Sequence, residues 1–150
     1  MNTRFLIIIG PSGSGKSTLS NQLLKDFPNI FHYEDIDKNI KMSNGKTFEK
    51  HYEFMATSIL NQEKSHNDKI IVVNSYSDKF INFEKDLYIK IYIDEKFTNY
   101  ERIDLLKKLG IYNEMFQNWN TGYNSKNDFL YNRENYDELK TWLLTCLNNL

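Results

Sequence analysis

Lys16 and Ser17 close the run GPSGSGKS at residues 10–17, which fills every fixed position of the pattern G-x-x-x-x-G-K-[ST]. The chemistry such a run offers is phosphate capture. Gly10, Gly13 and Gly15 let the backbone turn with its N–H groups aimed at phosphate oxygens, where a side chain would obstruct the approach. A helix beginning at this point directs its positive N-terminal end at the same anion. Lys16 can reach the outer phosphates and Ser17 can offer its hydroxyl to Mg2+, so that together they neutralise charge that resists phosphoryl transfer. Ser12, Ser14 and Thr18 complete the expected nucleotide-binding set.

Carboxylates are the second requirement of such chemistry. Asp35 and Asp37 follow the second predicted strand, on the rim where open parallel sheets bind ligands. One can support the metal while the other accepts the proton of an attacking hydroxyl, and the sequence leaves open which does which. The competing reading is a solvated acidic turn. Ser75, Tyr76 and Asp78 occupy the same rim after the third strand and are read either as acceptor contacts or as plain loop. No histidine is assigned a role: His32 reads as a half-buried structural residue, and His51 and His66 have no carboxylate or cysteine at metal-ligand spacing in sequence. Phe116, Trp119 and Tyr123 are read as packing aromatics in preference to base-stacking ones.

The elements that must position these residues alternate between strand and helix, the signature of a parallel sheet covered on both faces. Residues 4–9 form an apolar strand, buried on both sides. Residues 16–27 carry Leu19, Leu23 and Phe27 on one helical stripe, ended by Pro28. A second strand is expected at 30–34, a loop at 38–46, and a helix at 47–63 with Phe48, Tyr52, Met55 and Ile59 on one face. Strands follow at 69–74 and 87–94. In the latter, Tyr88, Lys90 and Tyr92 alternate with Ile89, Ile91 and Ile93, which predicts one less protected face. A helix with Thr98 and Glu101 in capping-box spacing closes at Gly110, and 111–123 reads as weakly helical. A short fifth strand at 128–132 leads to a terminal helix capped by Asn135, with Leu139, Leu143, Cys146 and Leu150 on one face. No repeat, linker or low-complexity tract interrupts the plan.

Size and charge narrow the function. With 150 residues, residues 1–150 are expected to form a single domain. No apolar run is long enough for a bilayer, and residues 1–9 read as a core strand and not a signal peptide. These features set an expectation of a cytoplasmic protein, or one of the host cytoplasm if the chain is viral. Cys146 is the only cysteine, so an internal disulfide and a cysteine-based metal site are excluded. The formal net charge of −1 and the scattered lysines argue against a tight, sequence-independent polynucleotide track.

Five strands, a phosphate loop after the first, an acidic pair after the second and a terminal helix after an Asn-ended fifth strand resemble the P-loop kinases of nucleosides, nucleotides and small metabolites. GPSGSGKSTL is similar to the Walker A loop as guanylate kinases write it, although their arginine- and tyrosine-rich GMP-binding insert is not visible. The segment 35–45, with Asn39, Ile40, Lys41, Met42 and Gly45, looks like the acceptor region of gluconate and shikimate kinases. DFLYNRENYDELKTWL from Asp128 resembles the last strand and helix of dephospho-coenzyme A and nucleotide kinases, where the strand end, here Asn132, lies beside adenine. The resemblance implies a three-layer α/β/α fold with a five-stranded parallel sheet in the order 2-3-1-4-5, with ATP and Mg2+ as cofactors. It also implies that Ser17, Asp35 and Asp37 attend the metal. The third strand ends in Asn74 where many relatives place an Asp. The lid is poor in arginine: Arg102 is the candidate cation for the transferring group, with Lys107, Lys108 and Arg133 nearby.

The first functional expectation is an ATP-dependent phosphotransferase with Lys16, Asp35, Asp37 and Arg102 in catalysis and a small-molecule acceptor. The alternatives are a polynucleotide 5′-hydroxyl or modified-base kinase, and a non-catalytic nucleotide-binding protein. Asn74 favours the last, whereas intact Lys16 and Ser17 oppose it.

Overall fold

The computed structural model describes residues 3–10, 14–34, 48–74, 88–94, 104, 107–108 and 122–148. Five parallel strands form one sheet: β1 (Phe5–Ile9), β2 (Phe31–His32), β3 (Ile70–Val73), β4 (Tyr88–Ile93) and β5 (Phe129–Tyr131). Their order across the sheet is β2-β3-β1-β4-β5, the arrangement expected. β1 is central, with Leu6 opposite Val72 of β3 on one side and Ile89 of β4 on the other. The order places the chain's most apolar strands in the middle, where both faces are covered.

Strand alternation sorts the core into two halves. Leu6, Ile8, Phe31, Val72, Ile91 and Ile93 face Leu19 and Leu23 of α1 (Lys16–Asp26) and Leu139 and Leu143 of the terminal helix α3 (Tyr136–Asn148). On the other face Phe5, Ile7, Ile71 and Val73 meet Ala56 and Ile59 of α2 (Phe48–Ser65). Helices therefore lie on both sides, giving the three-layer α/β/α architecture.

Two local expectations are corrected. In β4 burial does not alternate: Tyr88, Ile89 and Lys90 are all half-buried, whereas Ile91, Tyr92 and Ile93 are all buried. Tyr92, an expected exposed-face residue, is covered by Tyr123 edge-to-face at 5.6 Å. Burial grows along the strand because its carboxyl half is flanked by both β1 and β5, while β5 pairs only with Ile91 to Ile93. Asn135 takes the N-cap position, its carbonyl accepting from Leu139 N–H at 3.0 Å, but its side chain does not cap the helix by any bond seen among the described residues. Its side chain turns back to the end of β5, accepting from Asn132 N–H at 2.9 Å and donating to Leu130 O at 2.9 Å. Asp137 and Glu138 supply negative charge to the first turn of α3 instead.

Asp104, Lys107 and Lys108 are helical, as expected for 98–110. Gly122 and Tyr123, the end of the weak helical pattern, are a turn and irregular chain. No helix among the described residues is long and apolar enough to cross a membrane.

Candidate functional site

The carboxyl end of β1 runs directly into the phosphate-loop residues and the head of α1. Gly10 is needed there because a Cβ would come within 2.7 Å of Ser14 Oγ and 2.8 Å of Ile93 Cγ1. Gly15 is needed for a different reason: its φ of 96° is left-handed, and it forms the N-cap of α1 without a side-chain cap. No acidic residue occupies the first turn of α1, so its N–H groups and positive end meet no competing carboxylate from that turn. Ser14 Oγ is buried with no hydrogen-bond partner among the described residues. Lys16 Nζ is folded onto Gly10 O at 2.5 Å, spanning the loop from end to start. Ser17 and Thr18 are exposed on the first turn of α1. A left-handed Gly15, a Ser14 hydroxyl without a partner among the described residues, a lysine reaching back to Gly10 and a helix start without a side-chain cap suit a phosphate chain.

Asn74, immediately after β3, joins this loop to the sheet. Its Nδ2 donates to Tyr33 OH at 2.9 Å and Ser20 Oγ at 3.2 Å, and lies 3.4 Å from Ser17 Oγ. Ser20 Oγ spends its own proton on Lys16 O at 2.8 Å, so it meets Asn74 as an acceptor, which orients the amide with its NH2 toward α1. The position where relatives place an aspartate is thus a neutral hub beneath the Ser17 hydroxyl. Ser20 and Tyr33 are site-supporting residues that sequence reasoning missed. Ser20 had a signal, lying one helical turn beyond Ser17, whereas Tyr33 comes in only through the pairing of β2 with β3.

Of the remaining sequence-derived candidates, Asn132 follows β5 at the same end of the sheet. Its side-chain oxygen accepts from Glu134 N–H at 2.8 Å, a local turn that occupies the amide oxygen. Arg133 beside it is exposed. Ser12, Gly13, Asp35, Asp37, Ser75, Tyr76, Asp78, Arg102, Phe116 and Trp119 lie outside the described residues. Cys146 is half-buried, and burial raises its thiol above the ordinary range, in keeping with a packing role.

A second cluster was not legible from sequence spacing. His32 on β2 and His66, one residue past α2, stack with ring centroids 3.6 Å apart and planes inclined by 17°. Glu34 Oε1 stands 3.6 Å from His32 Nε2. Burial first, and the neighbouring His66 next, lower the proton affinity of His32, with Glu34 acting in the opposite sense.

The guanylate kinase family model matches residues 2–85, more than half of the chain, and the chain belongs to that family. It is a P-loop kinase of the small-metabolite group. No curated protein matches it. Among solved structures it is similar to shikimate kinase from Aquifex aeolicus, at 21% identity and a TM-score of 0.52 over 99% of this chain and 98% of that one. It is also similar to an uncharacterized protein from Eubacterium ventriosum, at 10% identity and a TM-score of 0.56 over 99% and 100% of the two chains. At these identities the likeness is one of fold.

Proposed function

We propose that the protein is an ATP- and Mg2+-dependent phosphotransferase whose acceptor is a small molecule, a nucleoside, nucleotide or related metabolite. The observation that carries this reading is the head of α1, where left-handed Gly15, a Ser14 Oγ without a partner among the described residues and Lys16 come together in the pattern that binds phosphate. Membership of the guanylate kinase family supports a nucleotide acceptor. A single domain over residues 1–150 and a cytoplasmic setting belong to the same proposal.

In this reading Lys16 exchanges its hold on Gly10 O for the outer phosphates, and backbone N–H groups from Gly10 to Thr18, including those of Ser12 and Gly13, hold the chain of phosphates in place. Ser17, steadied by Asn74, offers its hydroxyl to Mg2+, which when bound adds charge neutralisation across the outer phosphates. Asn74 presents an uncharged NH2 there, so the anionic support for the metal falls to Asp35 or Asp37, with the other taking the acceptor's proton. Arg102 meets charge on the transferring group, and Asn132 borders the base. Positioning and electrostatics carry the rate.

Transfer of labelled phosphate from ATP to pooled nucleosides, nucleotides, sugars and oligonucleotides tests the proposal. A labelled product in one small-molecule pool is the expected result. Nucleotide binding without transfer to any pool would favour the non-catalytic reading. Asp35→Asn and Asp37→Asn then separate the two roles: losing the metal's support raises the Mg2+ requirement, and losing the base lowers kcat at saturating Mg2+. Normal turnover by both variants at limiting and saturating Mg2+ would reduce the pair to a solvated turn.

A further inference from the structure

The potential ligand atoms of His32, Glu34 and His66 all fall within 4.8 Å of one another. We propose that these three side chains form a binding site for a divalent transition ion of the Zn2+ type, tying β2 to the end of α2. Two imidazoles and a carboxylate are a donor set that Zn2+ takes with a fourth position left for water, and one that hard Mg2+ does not favour.

One of the three ligand separations already suits such an ion. Ligand atoms about 2.0–2.2 Å from a tetrahedral ion stand roughly 3.4 Å apart, and the His32 Nε2 to Glu34 Oε1 separation is 3.6 Å. That nitrogen is also buried with no hydrogen-bond partner among the described residues, a costly condition that a metal bond would relieve. Stacking is the one feature to be undone. In stacked rings the lone pairs lie in two nearly parallel planes and cannot both aim at one ion, so His66, half-buried at the helix end, must turn out of the stack. Its backbone need not move: His66 N–H stays bonded to Gln62 O at 2.8 Å as the last turn of α2. Lys69, near enough to His32 to disfavour a positive charge there, weakens the site, and the carboxylate of Glu34 offsets it.

The consequence is structural. β2 is two residues long and, among the described residues, pairs only with β3 at the sheet edge. An ion held jointly by β2, by Glu34 two residues on and by the end of α2 adds a cross-link where backbone pairing is shortest.

The test is Zn2+ titration of tag-free, nucleotide-free protein by calorimetry, with Co2+ absorption spectra and thermal denaturation alongside. One ion per chain, the visible bands of a tetrahedral Co2+ centre and a Tm raised by Zn2+ but not Mg2+ are expected. His66→Ala and Glu34→Gln should each weaken Zn2+ binding by more than about tenfold, while His51→Ala should bind normally. Glu34 is largely exposed, so its conservative variant tests the site even if His66→Ala fails to fold. Absence of stoichiometric binding, or binding that Glu34→Gln leaves unchanged, would overturn the proposal.

Discussion

Two residues, Lys16 and Asn74, set the character of the candidate site. Lys16 stands at the junction of the loop and α1, outside both buried core clusters, and reaches back to a loop carbonyl. Lys16→Ala should therefore leave thermal stability nearly unchanged while lowering phosphate transfer by about 100-fold or more. A variant retaining most of its turnover would remove the loop from the mechanism. Asn74 differs because it bonds to three hydroxyls. Asn74→Ala should cost about 1–2 kcal/mol in chemical denaturation, since the two shorter bonds are lost together. Asn74→Asp preserves shape and adds negative charge beside the hydroxyl offered to Mg2+, while Ser20 Oγ must turn its proton from Lys16 O to meet the new carboxylate. It should lower the Mg2+ concentration needed for half-maximal rate. An unchanged Mg2+ dependence would place the metal away from Ser17.

The elements hold the site by packing α1 and α3 against one face of the sheet. The two helices are joined at their ends by Tyr136, whose hydroxyl donates to Asp26 Oδ2 at 2.6 Å. Burial, and then this bond to a carboxylate, raises the proton affinity of the phenol. An acid whose folded-state pKa is raised contributes fully below its unfolded value and loses the contribution as pH climbs through and beyond it. For Tyr136 that decline begins near pH 10. Tyr136→Phe should lose about 1 kcal/mol or less at neutral pH, because the pair is open to solvent. Its stability should also fall less steeply than wild type above about pH 10. Parallel alkaline denaturation curves for the two proteins would show that the bond does not couple α1 to α3.

At the scale of the whole molecule, the distribution of charge bears on the acceptor. Sixteen lysines and three arginines balance against twenty acidic residues without a dense basic cluster. A small acceptor should therefore show a KM that changes little across a salt series, whereas a polynucleotide would release counterions and weaken steeply. The measurement compares mononucleoside, mononucleotide and oligonucleotide acceptors, with Arg102→Ala as a second arm. Use of oligonucleotides alone with a steep salt slope would promote the nucleic-acid kinase reading. Unchanged kcat in Arg102→Ala would remove that arginine while leaving the small acceptor in place.

The sequence by itself determined the phosphate loop and the succession of strands and helices, because both are local. Loop chemistry is written in eight consecutive residues, and apolar periodicity follows from the repeat of each element. The strand order was legible through resemblance. Tertiary structure alone decided which distant residues share a hydrogen bond or a ligand position. Asn74 reads in sequence as a missing aspartate, but parallel pairing places it against Tyr33 and α1, where its amide has three partners. His66 and Glu34 are far apart along the chain, yet the register that sets His32 against Ile71 brings them together at the sheet edge. Burial of Tyr92 has the same origin: alternation predicts the face of a strand, and only its neighbours decide whether that face sees water.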